Sequence, residues 1–164
     1  MTAAELKAVY DCLKSELVTT YRKADILAAK RWNKWKRYSS VSYRSDTHGG
    51  RLVNNYANQI GRNAYAKYEN VRRMPTGSML AKDSFVVNAN GTVAAGPLFV
   101  MEKMTRGFNK ATADWRYAMV MPNGTLFGIT GGKNTAGLKF CHDCHVSSEE
   151  NDMMMFLPEE YRKK

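Results

Sequence analysis

The chain has 164 residues, 44% of them hydrophobic, which is enough to bury one core but not two comfortable ones. Its formal charge is +10, and residues 1–73 carry 15 lysines and arginines against 6 acidic residues, so the first half is the basic half. No nucleic-acid-binding motif accompanies that charge, and no apolar run reaches the length of a membrane span. The charge therefore favours a solvated face, or a surface that docks an acidic redox partner or subunit, over nucleic-acid binding.

The first predicted element is an amphipathic helix near the N-terminus. Thr2 and Glu5 have the spacing of a capping box, in which each side chain bonds the backbone N–H of the other. The apolar residues that follow at helical spacing are Leu6, Val9, Tyr10, Leu13, Leu17 and Tyr21. Cys12 lies to the side of this stripe and is therefore not an obvious core residue. The pattern indicates a helical segment over residues 1–34 that belongs to one domain with residues 35–164.

Residues 30–38 combine basic and aromatic side chains. Trp32, Trp35 and Tyr38 stand among five lysines and arginines. Such a stretch can form a nucleic-acid or docking surface, but basic residues that flank aromatics packed on a core are commoner.

The next stretch has a helical pattern again. Residues 41–50 have the composition of a strand end and a loop. Apolar residues then recur between Leu52 and Tyr65 at spacings that predict a second helix, which ends near Lys67.

The second half of the chain has the pattern of a sheet. Three stretches read as strands: residues 79–87, 92–104 and 114–121. Short turn signals follow the first and the third stretch, at Asn90-Gly91 and Pro122-Asn123-Gly124, so neighbouring strands are predicted to pair antiparallel. A glycine-rich stretch at residues 130–137 is predicted to be a mobile loop, and it lacks the spacing of a phosphate-binding loop.

Cys141, Cys144 and His145 form a Cys-x-x-Cys-His motif, the attachment motif of a c-type haem. Each thiol can form a thioether with one haem vinyl group, and the histidine can reach the iron as the proximal axial ligand. A redox dithiol is one alternative, but it normally opens a helix after a strand in a thioredoxin-like unit, and no such pattern surrounds the motif. A zinc site is another, but only His48 and Cys12 remain as further soft donors. The motif therefore predicts one covalently attached haem c.

Covalent haem attachment also predicts where the mature protein is found. The ligation machinery works outside the cytoplasm, so we expect an exported protein, in the periplasm or an equivalent compartment, whose leader has been removed. Because the haem uses two of the three cysteines, Cys12 is left without a cysteine partner in the chain.

Several short stretches together resemble the cytochrome P460 and cytochrome c′-beta family. The resemblance runs from about Gly50 to Phe156 and keeps the order of the family's motifs. The matching stretches are Gly77-x-x-x-x-Lys82, Trp115-x-Tyr117, Cys141 to His145, and Asp152-Met153. Where the family usually has Phe three residues after that Asp, this chain has Met155, and Phe156 follows one step later.

The resemblance implies an α+β fold, in which N-terminal helices accompany an antiparallel β-sheet and a C-terminal haem-attachment helix. Such proteins hold one haem c and often form dimers, here with an identical or a related chain. In relatives of the c′-beta type an apolar pocket binds nitric oxide. In the P460 enzymes an open site oxidises hydroxylamine, and a strand lysine is cross-linked to the porphyrin. Lys82 matches that lysine, and we expect it to pair with a haem propionate or face solvent instead of forming the cross-link.

Three functions follow, in order of preference. The first is binding or sensing of a small nitrogen oxide, nitric oxide above all, with redox activity at the haem iron. The second is hydroxylamine oxidation, which makes Lys82 the candidate catalytic residue and requires a proton acceptor on the distal side. The third is electron transfer, which needs two strong axial ligands and a partner surface, and the basic first half is a candidate for that surface.

Cys12 is the candidate distal ligand of the haem iron. Its position beside the apolar stripe leaves it able to face a second surface, either the haem pocket of its own domain or that of a partner chain. A ferric iron would hold the thiol deprotonated. The alternatives are an exposed thiol and a disulfide that joins two chains.

Overall fold

The computed structural model describes residues 1–163, which form an eight-stranded antiparallel sheet with helices before and after it. The helices are α1 (Ala3–Tyr21), α2 (Leu27–Arg31), α3 (Arg62–Tyr65) and α4 (Lys139–His145). The strands are β1 (Lys36–Arg37), β2 (Tyr43–Ser45), β3 (Arg51–Ala57), β4 (Met79–Val87), β5 (Val93–Ala95), β6 (Leu98–Lys103), β7 (Trp115–Val120) and β8 (Leu126–Ile129). The strand order is β1-β3-β4-β6-β7-β8, with β2 also beside β3 and β5 also beside β4. This architecture confirms the predicted α+β fold.

The predicted capping box begins α1. The backbone N–H of Glu5 donates to the Thr2 hydroxyl at 3.2 Å, and the backbone N–H of Thr2 donates to the Glu5 carboxylate at 2.6 Å. The buried side of the helix contains Tyr10, Leu13, Leu17 and Tyr21, as the spacing predicted. Along residues 1–163, no helix combines the length and the apolar composition needed to span a bilayer.

Both faces of the sheet are buried, each under its own hydrophobic cluster, so the fold has two cores where the length and composition predicted one. Side chains alternate between the two faces along a strand. In β4, Phe85 packs with the buried side of α1, whereas Leu80 packs with Leu138 and Met154 from the region around α4. We call these the α1 face and the α4 face of the sheet. The helix with the Cys-x-x-Cys-His motif therefore lies across the sheet from the N-terminal helix.

The predicted second helix is wrong over residues 51–57. These residues form β3, which pairs with β4 from Leu52 opposite Phe85 to Ala57 opposite Leu80, and only Arg62–Tyr65 are helical. The reason is that β3 is a central strand with both faces buried. Val53 packs on the α4 face and Tyr56 on the α1 face, so its apolar residues do not alternate with polar ones and can be mistaken for a helical stripe.

The basic and aromatic stretch packs as the commoner interpretation predicted. Trp32 is fully buried in the core of the α1 face, with its ring centroid 5.9 Å from that of Tyr21 and 5.1 Å from that of Tyr56. The exposed basic residues around it are Lys30, Arg31, Lys34 and Lys36. Trp32 thus packs in the core, and the basic side chains around it lie in solvent.

The predicted strand over residues 92–104 is interrupted at Gly96-Pro97, which separates β5 from β6. At Gly96 a Cβ atom would come within 2.3 Å of the Ser84 hydroxyl, which donates to the Pro97 carbonyl, and within 3.1 Å of the Ser84 backbone carbonyl carbon, so this position requires glycine. Strand β8 was not predicted, and the predicted loop at residues 130–137 leads into a short 3₁₀ helix, Thr135–Leu138.

Candidate functional site

A cavity of about 490 Å³ lies on the α4 face of the sheet, a size typical of cofactor sites. One wall comes from α4 and the segment after it, including Cys141, His145 and Met154. The remaining wall comes from the sheet and the loop between β2 and β3. Most of the lining side chains are apolar, and no Asp or Glu is among them within residues 1–163.

The structure brings all three residues of the motif to this cavity. Cys141, Cys144 and His145 line it from α4, because positions 141, 144 and 145 share one side of a helix. Burial raises the pKa of the Cys141 thiol to about 11. Asp143 lies on the outer side of α4, where its carboxylate accepts hydrogen bonds from Lys139 at 2.7 Å.

The imidazole of His145 is held in one orientation. Its Nδ1 lies 2.6 Å from the backbone carbonyl oxygen of Met153, and because a carbonyl only accepts, Nδ1 carries the proton. The other ring nitrogen, Nε2, is left free to bind a metal, which is the arrangement of metal-binding histidines in general. Burial, followed by the charge of Lys82, lowers the pKa of His145 to about 4, so the ring is neutral at ordinary pH. His145 therefore has the geometry and the charge state of an axial ligand.

The Met153 carbonyl is itself fixed by a network behind the motif. Asp152 and Met153 both have left-handed backbone conformations, with φ of 57° and 63°. The indole N–H of Trp115 donates to the Asp152 carbonyl at 2.6 Å. The Asp152 carboxylate accepts the backbone N–H of Met74 at 2.7 Å and forms an ion pair with the buried Lys103. These contacts hold an unfavourable turn in place, and the turn orients His145.

Lys82 also faces the cavity, from the middle of the sheet. It pairs with Asn55 of β3 and Phe99 of β6, and Phe99 pairs with Met119 of β7, so four lining residues form one row across the strands. Desolvation alone lowers the pKa of Lys82 to about 8, with no counteracting effect of a carboxylate. The lysine matched from the sequence thus lies in the same cavity as the motif.

His48 also lines the cavity, although the sequence suggested only a possible role as a zinc ligand. It ends the short 3₁₀ helix Asp46–His48 in the loop between β2 and β3, and its ring lies 4.8 Å from that of Phe99, edge to face. Burial, followed by the charges of Lys82 and His145, lowers the pKa of His48 to about 2. The one available signal was that His48 is the only histidine outside the motif.

Cys12 does not reach this cavity. It is exposed on α1, which packs against the α1 face of the sheet, and it is not among the lining residues. The sheet therefore separates Cys12 from His145. The hypothesis that Cys12 is the distal ligand within its own domain disagrees with this placement, and it stays a prediction only for the pocket of a partner chain.

The zinc alternative lacks a set of ligands. Within residues 1–163, no three His, Cys, Asp or Glu side chains are arranged to hold a metal ion. His48 and Cys12, the two soft donors outside the motif, lie on opposite sides of the sheet.

Fold and site together define an α+β protein in which a Cys-x-x-Cys-His helix faces a mainly apolar cavity of cofactor size. The model of the family described as Cytochrome P460 matches residues 29–156, most of the chain, and the protein belongs to that family. Membership implies a haem cofactor. A search among curated proteins found no match.

The residues around the cavity fit a haem. His145 offers a neutral, oriented Nε2, and the apolar walls suit the porphyrin surface. The buried hydroxyl of Tyr117, which lines the cavity, has no hydrogen-bond partner within residues 1–163, as expected where a further group completes the site.

Proposed function

We propose that the protein is a mono-haem c-type cytochrome that binds a small nitrogen oxide, with nitric oxide as the leading candidate. Cys141 and Cys144 would hold the haem by thioethers, and His145 would bind the iron through Nε2. When bound, the haem supplies a redox-active iron that can coordinate nitric oxide. The observation that carries the proposal is the pairing of an oriented, neutral His145 with a cavity whose walls are mainly apolar.

The chain's own residues have three tasks in this proposal. The carbonyl of Met153 holds the Nδ1 proton of His145, which keeps Nε2 available to the iron. Side chains such as Phe99, Met101 and Met119 exclude water from the cavity. An apolar site of this kind favours an uncharged diatomic ligand over an ionic one, because it offers an ion little solvation.

The attachment chemistry and the charge support two further proposals. Thioether formation is carried out outside the cytoplasm, so the mature protein is proposed to be exported. The exposed basic residues at positions 30–36 are proposed to dock an acidic redox partner or a related chain.

The test of the proposed function is an optical titration of the purified holoprotein. Ferric and ferrous forms are recorded before and after the addition of nitric oxide, with the pH and the salt concentration fixed. A shift of the haem absorption bands that saturates at one nitric oxide per haem is expected. A spectrum that does not change in either oxidation state would show that the protein does not bind nitric oxide.

Hydroxylamine oxidation is the second candidate, and the position of Lys82 favours it. Lys82 lines the cavity, and in the P460 enzymes a strand lysine is cross-linked to the porphyrin. The absence of any Asp or Glu from the lining, within residues 1–163, counts against a carboxylate as proton acceptor. Steady-state assays with hydroxylamine and an electron acceptor separate the candidates, because only the enzyme would turn over.

A further inference from the structure

His48 occupies the cavity without a role in haem attachment. The loop between β2 and β3 spans residues 46–50, and His48 is held there by the turn at Gly49 and Gly50, whose φ angles are 73° and 66°. From this loop the His48 ring reaches the wall of the cavity and packs edge to face on Phe99. Phe99 in turn belongs to the row of lining residues that includes Lys82.

The hydrogen bonds of His48 engage one side of its ring and leave the other ring nitrogen free. Its Nδ1 lies 2.8 Å from the Ser45 hydroxyl and 3.2 Å from the Thr47 hydroxyl. Either hydroxyl can donate to the Nδ1 lone pair, and a protonated Nδ1 would instead donate to one of the hydroxyls. A neutral ring that accepts at Nδ1 carries its proton on Nε2, and Nε2 makes no hydrogen bond within residues 1–163. When the ring accepts at Nδ1, its Nε2–H is therefore an unpaired donor on a residue that lines the cavity.

We propose that His48 is the distal residue of the haem site and that its Nε2–H donates a hydrogen bond to the nitrogen oxide bound at the iron. The inference rests on the proposed function and names the residue that recognises the ligand. It follows from three features: two histidines share one cavity, Ser45 and Thr47 hold one side of the His48 ring, and the opposite ring nitrogen is unpaired. A ring protonated at Nε2 has no lone pair there, which distinguishes this role from that of a second axial ligand.

The variants that test this role are His48→Leu, which removes the donor, and His48→Gln, which keeps an amide N–H donor. Asn88→Leu is the control, because it makes a polar-to-apolar change at an exposed residue that does not line the cavity. Each holoprotein is reduced and saturated with nitric oxide, and two quantities are measured. They are the N–O stretching frequency and the rate constant of nitric oxide dissociation.

With His48→Leu, the N–O stretching frequency is expected to rise, because a donor to the bound ligand draws electron density into the antibonding orbital of the N–O bond. Dissociation is expected to become roughly 3- to 10-fold faster, because the loss of one hydrogen bond removes its net free energy from the complex. His48→Gln should fall between the wild type and His48→Leu, and Asn88→Leu should match the wild type.

Three outcomes would overturn the inference. If both quantities stay at their wild-type values in His48→Leu, the residue does not contact the ligand. If the ferric wild type is low-spin and becomes high-spin in His48→Leu, His48 is an axial ligand instead. If the wild type forms no nitric oxide complex at all, the proposed function itself fails, and the role of His48 fails with it.

Discussion

Lys103 and Asp152 form an ion pair in which both side chains are almost completely buried, with 0% and 4% of their surface exposed. The pair holds the turn whose Met153 carbonyl orients His145, so the proposed proximal side of the haem site depends on a charge buried beneath it.

Replacement of Lys103 with Met is expected to lower the free energy of unfolding by about 3 kcal/mol or more, because it leaves the Asp152 carboxylate buried without its counter-charge. Denaturant unfolding of the holoprotein measures the change. Lys7→Met is the matched control: Lys7 pairs with Asp11 on the exposed side of α1, and its loss should cost less than about 1 kcal/mol. Equal effects of the two substitutions would contradict the importance of the buried pair.

Haem is expected to stay with the polypeptide through acid-acetone extraction and denaturing electrophoresis, because the thioethers proposed for Cys141 and Cys144 would not dissociate. The double variant Cys141→Ala, Cys144→Ala should release its haem into the organic layer. Cys12→Ala serves as control and should retain it. Release of intact haem from the wild type would refute covalent attachment.

Lys82 is expected to carry no bond to the porphyrin. Its amine lies in the cavity, but no carboxylate, within residues 1–163, lines the site to accept protons during such a reaction. Intact mass and mapping of tryptic haem peptides provide the measurement. A haem peptide joined to the peptide that contains Lys82 would contradict this expectation and place the protein among the hydroxylamine-oxidising members of the family.

Cys12→Ala is expected to leave the ferric electron paramagnetic resonance spectrum unchanged in dilute protein, because the sheet separates Cys12 from the cavity. The measurement is repeated at high protein concentration, which would favour any association of chains. Loss of a low-spin thiolate signal in the variant would show that Cys12 reaches a haem, and a dependence of that signal on concentration would assign the haem to a partner chain.

Asp83 is expected to make stability fall as the pH rises from about 4 to 7. Burial raises the pKa of its carboxyl to about 6, even though Tyr10 and Asn54 donate hydrogen bonds to it. The folded state therefore binds this proton more tightly than the unfolded state. The resulting contribution of Asp83 to the free energy of unfolding is complete below the unfolded pKa near 4 and is lost above the folded pKa. Its size is about 3 kcal/mol at most.

The free energy of unfolding of the wild type and of Asp83→Asn, measured across that pH range, isolates this effect from the other carboxylates. As the pH rises from 4 to 7, the free energy of unfolding of the wild type should fall relative to that of Asp83→Asn. A difference that is constant over the range would mean that Asp83 ionises normally in the folded protein.

The sequence by itself determined the features that depend on local spacing. The Thr2 and Glu5 capping box and the buried stripe of α1 follow from helical geometry, and β4 has the bounds predicted from its composition. The placement of Cys141, Cys144 and His145 on one side of a helix is also local, because residues three and four apart on a helix are neighbours.

The other features of the fold and the site depend on contacts between residues far apart in the chain, so only the tertiary structure decided them. Residues 51–57 are a strand because β4 pairs with them and two cores cover them, and no local pattern distinguishes such a strand from a helix. The position of Cys12 depended on which face of the sheet α1 covers. His48 and His145 are 97 positions apart in the numbering, and only the folded sheet and loop bring both rings to one cavity.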